Sequence, residues 1–130
     1  MAKIINQNVD GLHRRSGFPI DKMAELHGND NLEICKAKDC GKQYMRDYST
    51  RNARGVFDHA TGRGCESCGG MLYDTIINFG ENLPIKALED GFNHGKEADL
   101  CLVLGSSLRV TPAAKMPLET ARKGKLVIVK

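Results

Sequence analysis

No apolar run in this 130-residue sequence approaches the roughly 20 residues a membrane-spanning helix needs. Nothing after the opening Met1-Ala2-Lys3 has the long apolar segment of a secretory signal. The expectation is therefore a reducing intracellular setting, where cysteines bind metal more often than they pair. Excess charge is missing too: a formal net charge of +3 makes no case for non-specific nucleic-acid binding. The Gly-x-Gly-x-x-Gly fingerprint of dinucleotide-phosphate loops is also absent. What remains, 41% hydrophobic and 27% charged, is ordinary for a globular protein, and the length suffices for one domain with a modest core. A strand begins almost at residue 1 and another ends at Lys130, so both ends read as cut from a longer chain.

Chemistry-bearing residues concentrate between Gln7 and Asn29. That stretch holds Gln7, Asn8, Asp10, His13 and His27, and is punctuated by Gly11, Gly17, Pro19 and Gly28, which rule out a long helix or strand. The β-branched Lys3-Ile4-Ile5-Asn6 before it suggests a strand over residues 3–7. A strand ending in Gln-Asn-x-Asp puts amides and a carboxylate at its carboxyl end, where open α/β sheets bind ligands. By residue type alone, Asn8 and Asp10 are equally turn formers capping the strand. Asp21 reads as the N-cap of a short helix over Lys22–Leu26. His13 reads as structural, Arg14 and Arg15 as a solvated face.

Two cysteine pairs follow, Cys35-x4-Cys40 and Cys65-x2-Cys68. Four thiolates in two tight pairs suit tetrahedral zinc, with Zn–S about 2.3 Å; two disulfides or unrelated buried thiols are the other readings. Gly41 and Gly69-Gly70 let the backbone turn toward the sulfurs. With four sulfurs bound no position stays open, so the metal would be structural. His59, a possible fifth ligand, is then superfluous. Tyr44–Tyr48 reads as a ribbon strand and residues 49–64 as a mobile insertion.

Gln7-Asn8-Val9-Asp10-Gly11-Leu12-His13 followed by Glu25-Leu26-His27-Gly28-Asn29, with this cysteine pattern, resembles the sirtuins, the NAD-dependent protein deacylases. Arg15-Ser16-Gly17 between the halves is most similar to the chromatin-associated class IV branch. The resemblance implies that Asn8 and Asp10 line the pocket for nicotinamide and its ribose, that Gln7 contacts the same end of the cofactor, and that His27 is the general base, a role suited to a side chain titrating near neutral pH. The four-residue gap of the first cysteine pair departs from the family's usual two.

Downstream, Leu72–Phe79 reads as a return to the main sheet. By resemblance Phe79-Gly80-Glu81 borders the cleft that holds an extended acyl-lysine peptide by strand addition. Pro84 opens a helix over residues 84–97, weakened or broken by Gly91 and Gly95. Asp99–Leu104 reads as a buried parallel strand with Cys101 a core thiol. Gly105-Ser106-Ser107 after it suits close approach to phosphate or ribose, and the sirtuin counterpart contacts NAD. A helix over Pro112–Arg122, a stop at Gly124 and a strand over Leu126–Val129 complete the chain. Lys130 stands where the family carries an asparagine on the adenosine ribose, and the family's glycine-alanine-glycine pyrophosphate loop should lie upstream of Met1.

The expected fold is α/β: part of a Rossmann-like parallel sheet (1–29 and 73–130) with a zinc-ribbon insertion (30–72). The implied function is NAD-dependent removal of acyl groups from lysine in proteins such as histones, releasing nicotinamide and an O-acyl-ADP-ribose, in the nucleus. As a free polypeptide the chain is expected to bind NAD weakly and turn over little. Mono-ADP-ribosyl transfer in the same cleft and a non-catalytic zinc-ribbon interaction module are the alternatives.

Overall fold

The computed structural model describes residues 1–52 and 55–129; Lys130, and with it the expected adenosine-side position, lies outside them. Two short parallel strand pairs flank a four-stranded antiparallel ribbon. Strand β1 (Ile4–Asn6) pairs in parallel with β2 (Met23–Glu25), Ile4 opposite Met23 and Asn6 opposite Glu25. The connection between them holds a single-turn helix, α1 (Leu12–Arg15), and a 3₁₀ turn at Ile20–Lys22.

That pairing corrects the helix expected over Lys22–Leu26. Met, Ala, Glu and Leu are good helix formers, but local propensity is a weak prior. Here Met23, Ala24 and Leu26 are buried and Leu26 N–H donates to Asn6 O at 2.9 Å, so partnership with β1 decides the conformation.

The ribbon runs β4-β3-β6-β5: β3 (Leu32–Cys35), β4 (Gln43–Met45), β5 (Ala60–Gly64) and β6 (Met71–Asp74). Two expectations change. The stretch expected as a mobile insertion, 49–64, contributes to the ribbon at both ends: Thr50 is buried with its hydroxyl on Asp30 O and Leu32 O, and 60–64 form the edge strand. The strand expected over 72–79 ends at Asp74 and pairs with β3 and β5 in the ribbon, leaving 75–79 irregular. The ribbon core is Cys35, Cys65 and Leu72 packed by Ala37, Cys40 and Tyr44. Beside it Glu33, fully buried, takes Arg46 Nε at 2.7 Å and Arg63 Nη2 at 2.8 Å.

Helix α2 (Ile85–Glu97) is continuous through Gly91 and Gly95. A Cβ on Gly91 would stand 2.7 Å from Met116 Sδ, and one on Gly95 would press on the Met116 carbonyl. Both glycines are buried, and they let α3 (Met116–Ala121) cross in contact, with Thr120 Oγ1 donating to Gly95 O at 2.7 Å. The residues expected to weaken the helix are what packs it. Leu26, Ala113 and Met116 form the core there, covered by Ile5, Ala87, Leu88 and Phe92.

Strands β7 (Leu100–Leu104) and β8 (Lys125–Val129) pair in parallel over five residues. Val103 is buried, but Leu100, Leu102 and Leu104 are exposed, as are Val127 and Val129. The buried strand expected here is thus covered on one face only. Among the described residues no helix is long and apolar enough to cross a membrane.

Candidate functional site

Gln7 joins the two halves of the site. It follows β1 directly, and its main-chain carbonyl lies 3.0 Å from His27 Nδ1. A carbonyl only accepts, so Nδ1 carries the proton and the neutral ring presents its lone pair at Nε2. The Gln7 side chain reaches the other way: its Oε1 accepts from Ser106 Oγ at 3.1 Å, across 99 positions of sequence. Ser106 Oγ in turn accepts the Leu108 N–H at 3.2 Å, and Gly105 turns the chain after β7 with φ +63°. The carboxyl ends of β1 and β7 therefore meet through one glutamine, which gathers Gln7, His27 and Ser106. Asn8, Asp10, Gly105 and Ser107 are exposed around them. Asp10 forms the expected turn, accepting Leu12 N–H at 3.0 Å, and Asn8 N–H caps onto Asn6 Oδ1 at 3.0 Å.

The His27 loop is held from behind by residues that sequence reading passed over. Ile77 N–H donates to His27 O at 3.1 Å, and Thr75 Oγ1 bonds both ends of Asn29. Gly28, at φ +77°, sits so close to Thr75 that a Cβ would collide with the Thr75 carbonyl. Asn29 is fully buried; its amide donates to Glu25 Oε1 and its Oδ1 accepts Asn31 N–H. Arg14, expected on a solvated face, instead pairs with Glu25 at 2.6 Å with both side chains largely buried, and Arg15 donates to Asn31 Oδ1. Charged residues in a Gly-rich loop look like surface until their partners eleven and sixteen positions on fold over them.

The four cysteines come together. Their sulfurs all lie within 4.8 Å of one another and none is in a disulfide. Cys35 and Cys68 Sγ are 3.5 Å apart, Cys40 and Cys65 3.7 Å. A tetrahedron with bonds of about 2.3 Å has edges of about 3.8 Å, so the donor set and spacing fit one structural zinc ion. The Tyr44 hydroxyl, 3.2 Å from Cys65, holds that thiol down at about 6 against the effect of burial. Gly70 leaves the sulfurs room: a Cβ there would stand 3.3 Å from both Cys35 and Cys68 Sγ. His59 takes no part in the cluster and bonds Asp74 and Glu81 instead.

Phe79 is exposed and Gly80 has φ +89°. Glu81, grouped with them as a substrate contact, points inward: its carboxylate accepts from Phe57 N–H, Asn78 and His59. The stretch therefore exposes the Phe79 ring while the Glu81 carboxylate is turned inward. A groove of about 690 Å³ runs between the ribbon and α2, but none of Gln7, Asn8, Asp10, His27 or Ser106 lines it. Gln7, Asn8, Asp10, Ser106 and Ser107 lie elsewhere, at the strand tips, and offer amides, a carboxylate and hydroxyls to a polar ligand.

The Sir2 family profile matches residues 1–112. The NAD-dependent protein deacetylase SRT1 of Arabidopsis thaliana is 43% identical over 129 residues, 97% of this chain and 26% of that protein. An NAD-dependent protein deacetylase of Oceanobacillus iheyensis is 44% identical over 127 residues, 97% of this chain and 48% of that one. Among solved structures, Sir2 bound to acetylated peptide superposes with a TM-score of 0.70 at 38% identity, covering all of this chain and 52% of the other. The chain thus spans from a quarter to about half the length of these relatives. Because the matched stretch runs unbroken from the strand tip at Gln7, through the cysteine ribbon, to the loop of Ser106, this chain belongs to the Sir2 family.

Proposed function

We propose that this chain is the base-carrying and zinc-carrying part of an NAD-dependent protein-lysine deacylase, with His27 as the general base. The observation that carries this is the Gln7–His27 bond at 3.0 Å together with the Gln7–Ser106 bond at 3.1 Å. One bond fixes the imidazole with its basic nitrogen free; the other draws the second strand tip to the same place. When bound, NAD would supply the ribose carbon: its bond to nicotinamide breaks, free nicotinamide leaves, and a new bond forms from that carbon to the acyl oxygen of the substrate. His27 Nε2 takes the proton from a neighbouring ribose hydroxyl. Gln7 O keeps the opposite nitrogen protonated, so the ring cannot present the wrong tautomer. Asn8 and Asp10 orient the ribose and favour its developing positive charge, and Gly105, Ser106 and Ser107 hold the ribose and phosphate side. Phe79-Gly80 lines the acyl-lysine peptide, with Glu81 fixing that stretch from inside. The peptide and acetyl group named for the matched structure, and NAD dependence named for the relatives, support this reading.

Within the same proposal, residues 30–72 form the zinc module and 1–29 with 73–130 the cofactor module. Zinc does no chemistry in this scheme; four sulfurs leave it closed. Arg15-Ser16-Gly17 supports the class IV branch, and with it a chromatin substrate such as a histone and a nuclear location. A tagged full-length parent excluded from the nucleus would remove that finer placement alone.

The test is His27→Ala in the full-length protein that carries this chain, with acyl-lysine peptide and NAD followed by mass. We expect kcat to fall about 10³-fold while NAD still binds. Near-normal loss of acyl mass refutes the base. Gain of an ADP-ribose mass in place of deacylation by the wild type favours transferase chemistry.

A further inference from the structure

The ring of His59 lies between two carboxylates. Nδ1 is 2.8 Å from Asp74 Oδ1, and Nε2 is 2.9 Å from Glu81 Oε1. The two carboxylate side chains are 1% and 6% exposed. A neutral imidazole has one N–H and would turn a lone pair against one of these acceptors; the imidazolium alone donates at both ends. Burial opposes the charge, but the two carboxylates outweigh it and hold His59 above the ordinary histidine range.

Both carboxylates are anchored on their far sides. Asp74 accepts the main-chain N–H of Asn52 at 2.7 Å and of Ile76 at 3.1 Å. Glu81 accepts the N–H of Phe57 at 2.6 Å and of Asn78 at 2.9 Å, and the Asn78 amide at 3.2 Å. Arg51 donates to Asn78 Oδ1 at 3.1 Å, and Asp58 is bonded to Asn52. One cationic ring thus ties the end of β6 to the turn at 78–81. Between the two, Ile77 donates to the carbonyl of His27. Phe79 itself is 89% exposed, so the turn is held by Glu81 and not by packing of its own aromatic ring.

We propose that His59 is a positioning residue: through Glu81 it sets the main chain of Asn78-Phe79-Gly80 as the edge on which the acyl-lysine peptide lies. This rests on the reading of that stretch as the peptide cleft. The charged groups facing the ring are Asp74 from β6 and Glu81 from the turn, with Arg51 and Asp58 behind their partners. When His59 loses its proton, two buried carboxylates are left sharing one N–H. Glu81 is on the turn, and the turn loosens. A histidine held above its unfolded value contributes fully at lower pH, and the contribution is lost as pH rises through the folded value. Peptide affinity therefore falls with rising pH, while NAD affinity, which depends on Gln7, Asn8 and Ser106, does not follow it.

The experiment uses the full-length protein, wild type and His59→Gln, measuring kcat and both KM values from neutral to alkaline pH, with amide hydrogen exchange over 77–81. We expect the variant to raise peptide KM about tenfold, the loss of one charge-assisted bond. Its kcat and NAD KM should stay within about twofold. The wild type's rise of peptide KM with pH should flatten, and the amides of Asn78 and Glu81 should exchange faster. Glu81→Gln, which keeps the shape and loses the charge, is expected to raise peptide KM likewise and serves if His59→Gln does not fold. Unchanged exchange overturns the brace. Faster exchange with unchanged peptide KM, or an equal rise in NAD KM, overturns the positioning role. A wild type that never deacylates overturns the functional reading and the peptide role with it, while exchange still decides whether the brace exists.

Discussion

The ribbon and the paired parallel strands solve the same problem of small size by opposite means. The ribbon is held from within: four strands share one antiparallel sheet, and its interior sets Leu72 and Ala37 among sulfur, one tyrosine and a fully buried carboxylate between two arginines. The β1–β2 and β7–β8 pairs rest on aliphatic contacts with α2 and α3, yet leave a row of leucines and valines in water. A small module can replace a hydrophobic core with a metal and a satisfied ionic network, whereas two-stranded parallel sheets depend on cover from both sides.

The largest break in that comparison comes from removing the metal. A strong chelator should unfold the ribbon, since a structural zinc held by four thiolates is worth on the order of 10 kcal/mol, while α2 and α3 keep their helicity; circular dichroism with amide exchange on each half reads this. Simultaneous loss of all structure would show that the two regions are one cooperative unit. Next in size is Gly28→Ala, which forces a side chain at φ +77° against the Thr75 carbonyl. It should cost about 4 kcal/mol by denaturant titration and damage the interface between the regions without loosening zinc. The smallest is Glu33→Gln inside the ribbon, which weakens charge-assisted bonds to two partly exposed arginines and should cost about 2 kcal/mol. Burial raises the Glu33 carboxyl, but Arg46 and Arg63 outweigh it and hold it below the usual range. Its contribution is present above the unfolded pKa and lost as pH falls through the folded one, so the variant should lose that part of the wild type's acid sensitivity. An unchanged acid profile would mean that other carboxylates govern it.

The cysteine cluster and the strand tip were legible because their signals are local: paired thiols at short spacing, and polar residues directly after a β-branched run. That His27 lies beside Gln7 could be expected only from its motif, since a histidine before glycine has no signature of its own. What stayed hidden depends on partners far along the chain. Met23–Glu25 looks helical until β1 lies beside it. Arg14 looks solvated without Glu25. Asp74-Thr75 looks like the start of a strand through Phe79, but the Asp74 and Thr75 side chains bond backbone nearby, Asp74 accepting Ile76 N–H and Thr75 bridging to Asn29. Glu81 looks available to a substrate because nothing near it in sequence, apart from Asn78, shows that His59 and Phe57 will claim its carboxylate.

The bare β7–β8 surface has a practical consequence. Leu100, Leu102, Leu104, Val127 and Val129 form an oily ladder, and among the described residues neither strand has a second hydrogen-bonded neighbour. Such a surface is sticky toward other polypeptides. Expressed alone, these residues should come out of cells clumped or in the grip of chaperones, and solubility will improve with whatever shields those aliphatic rows.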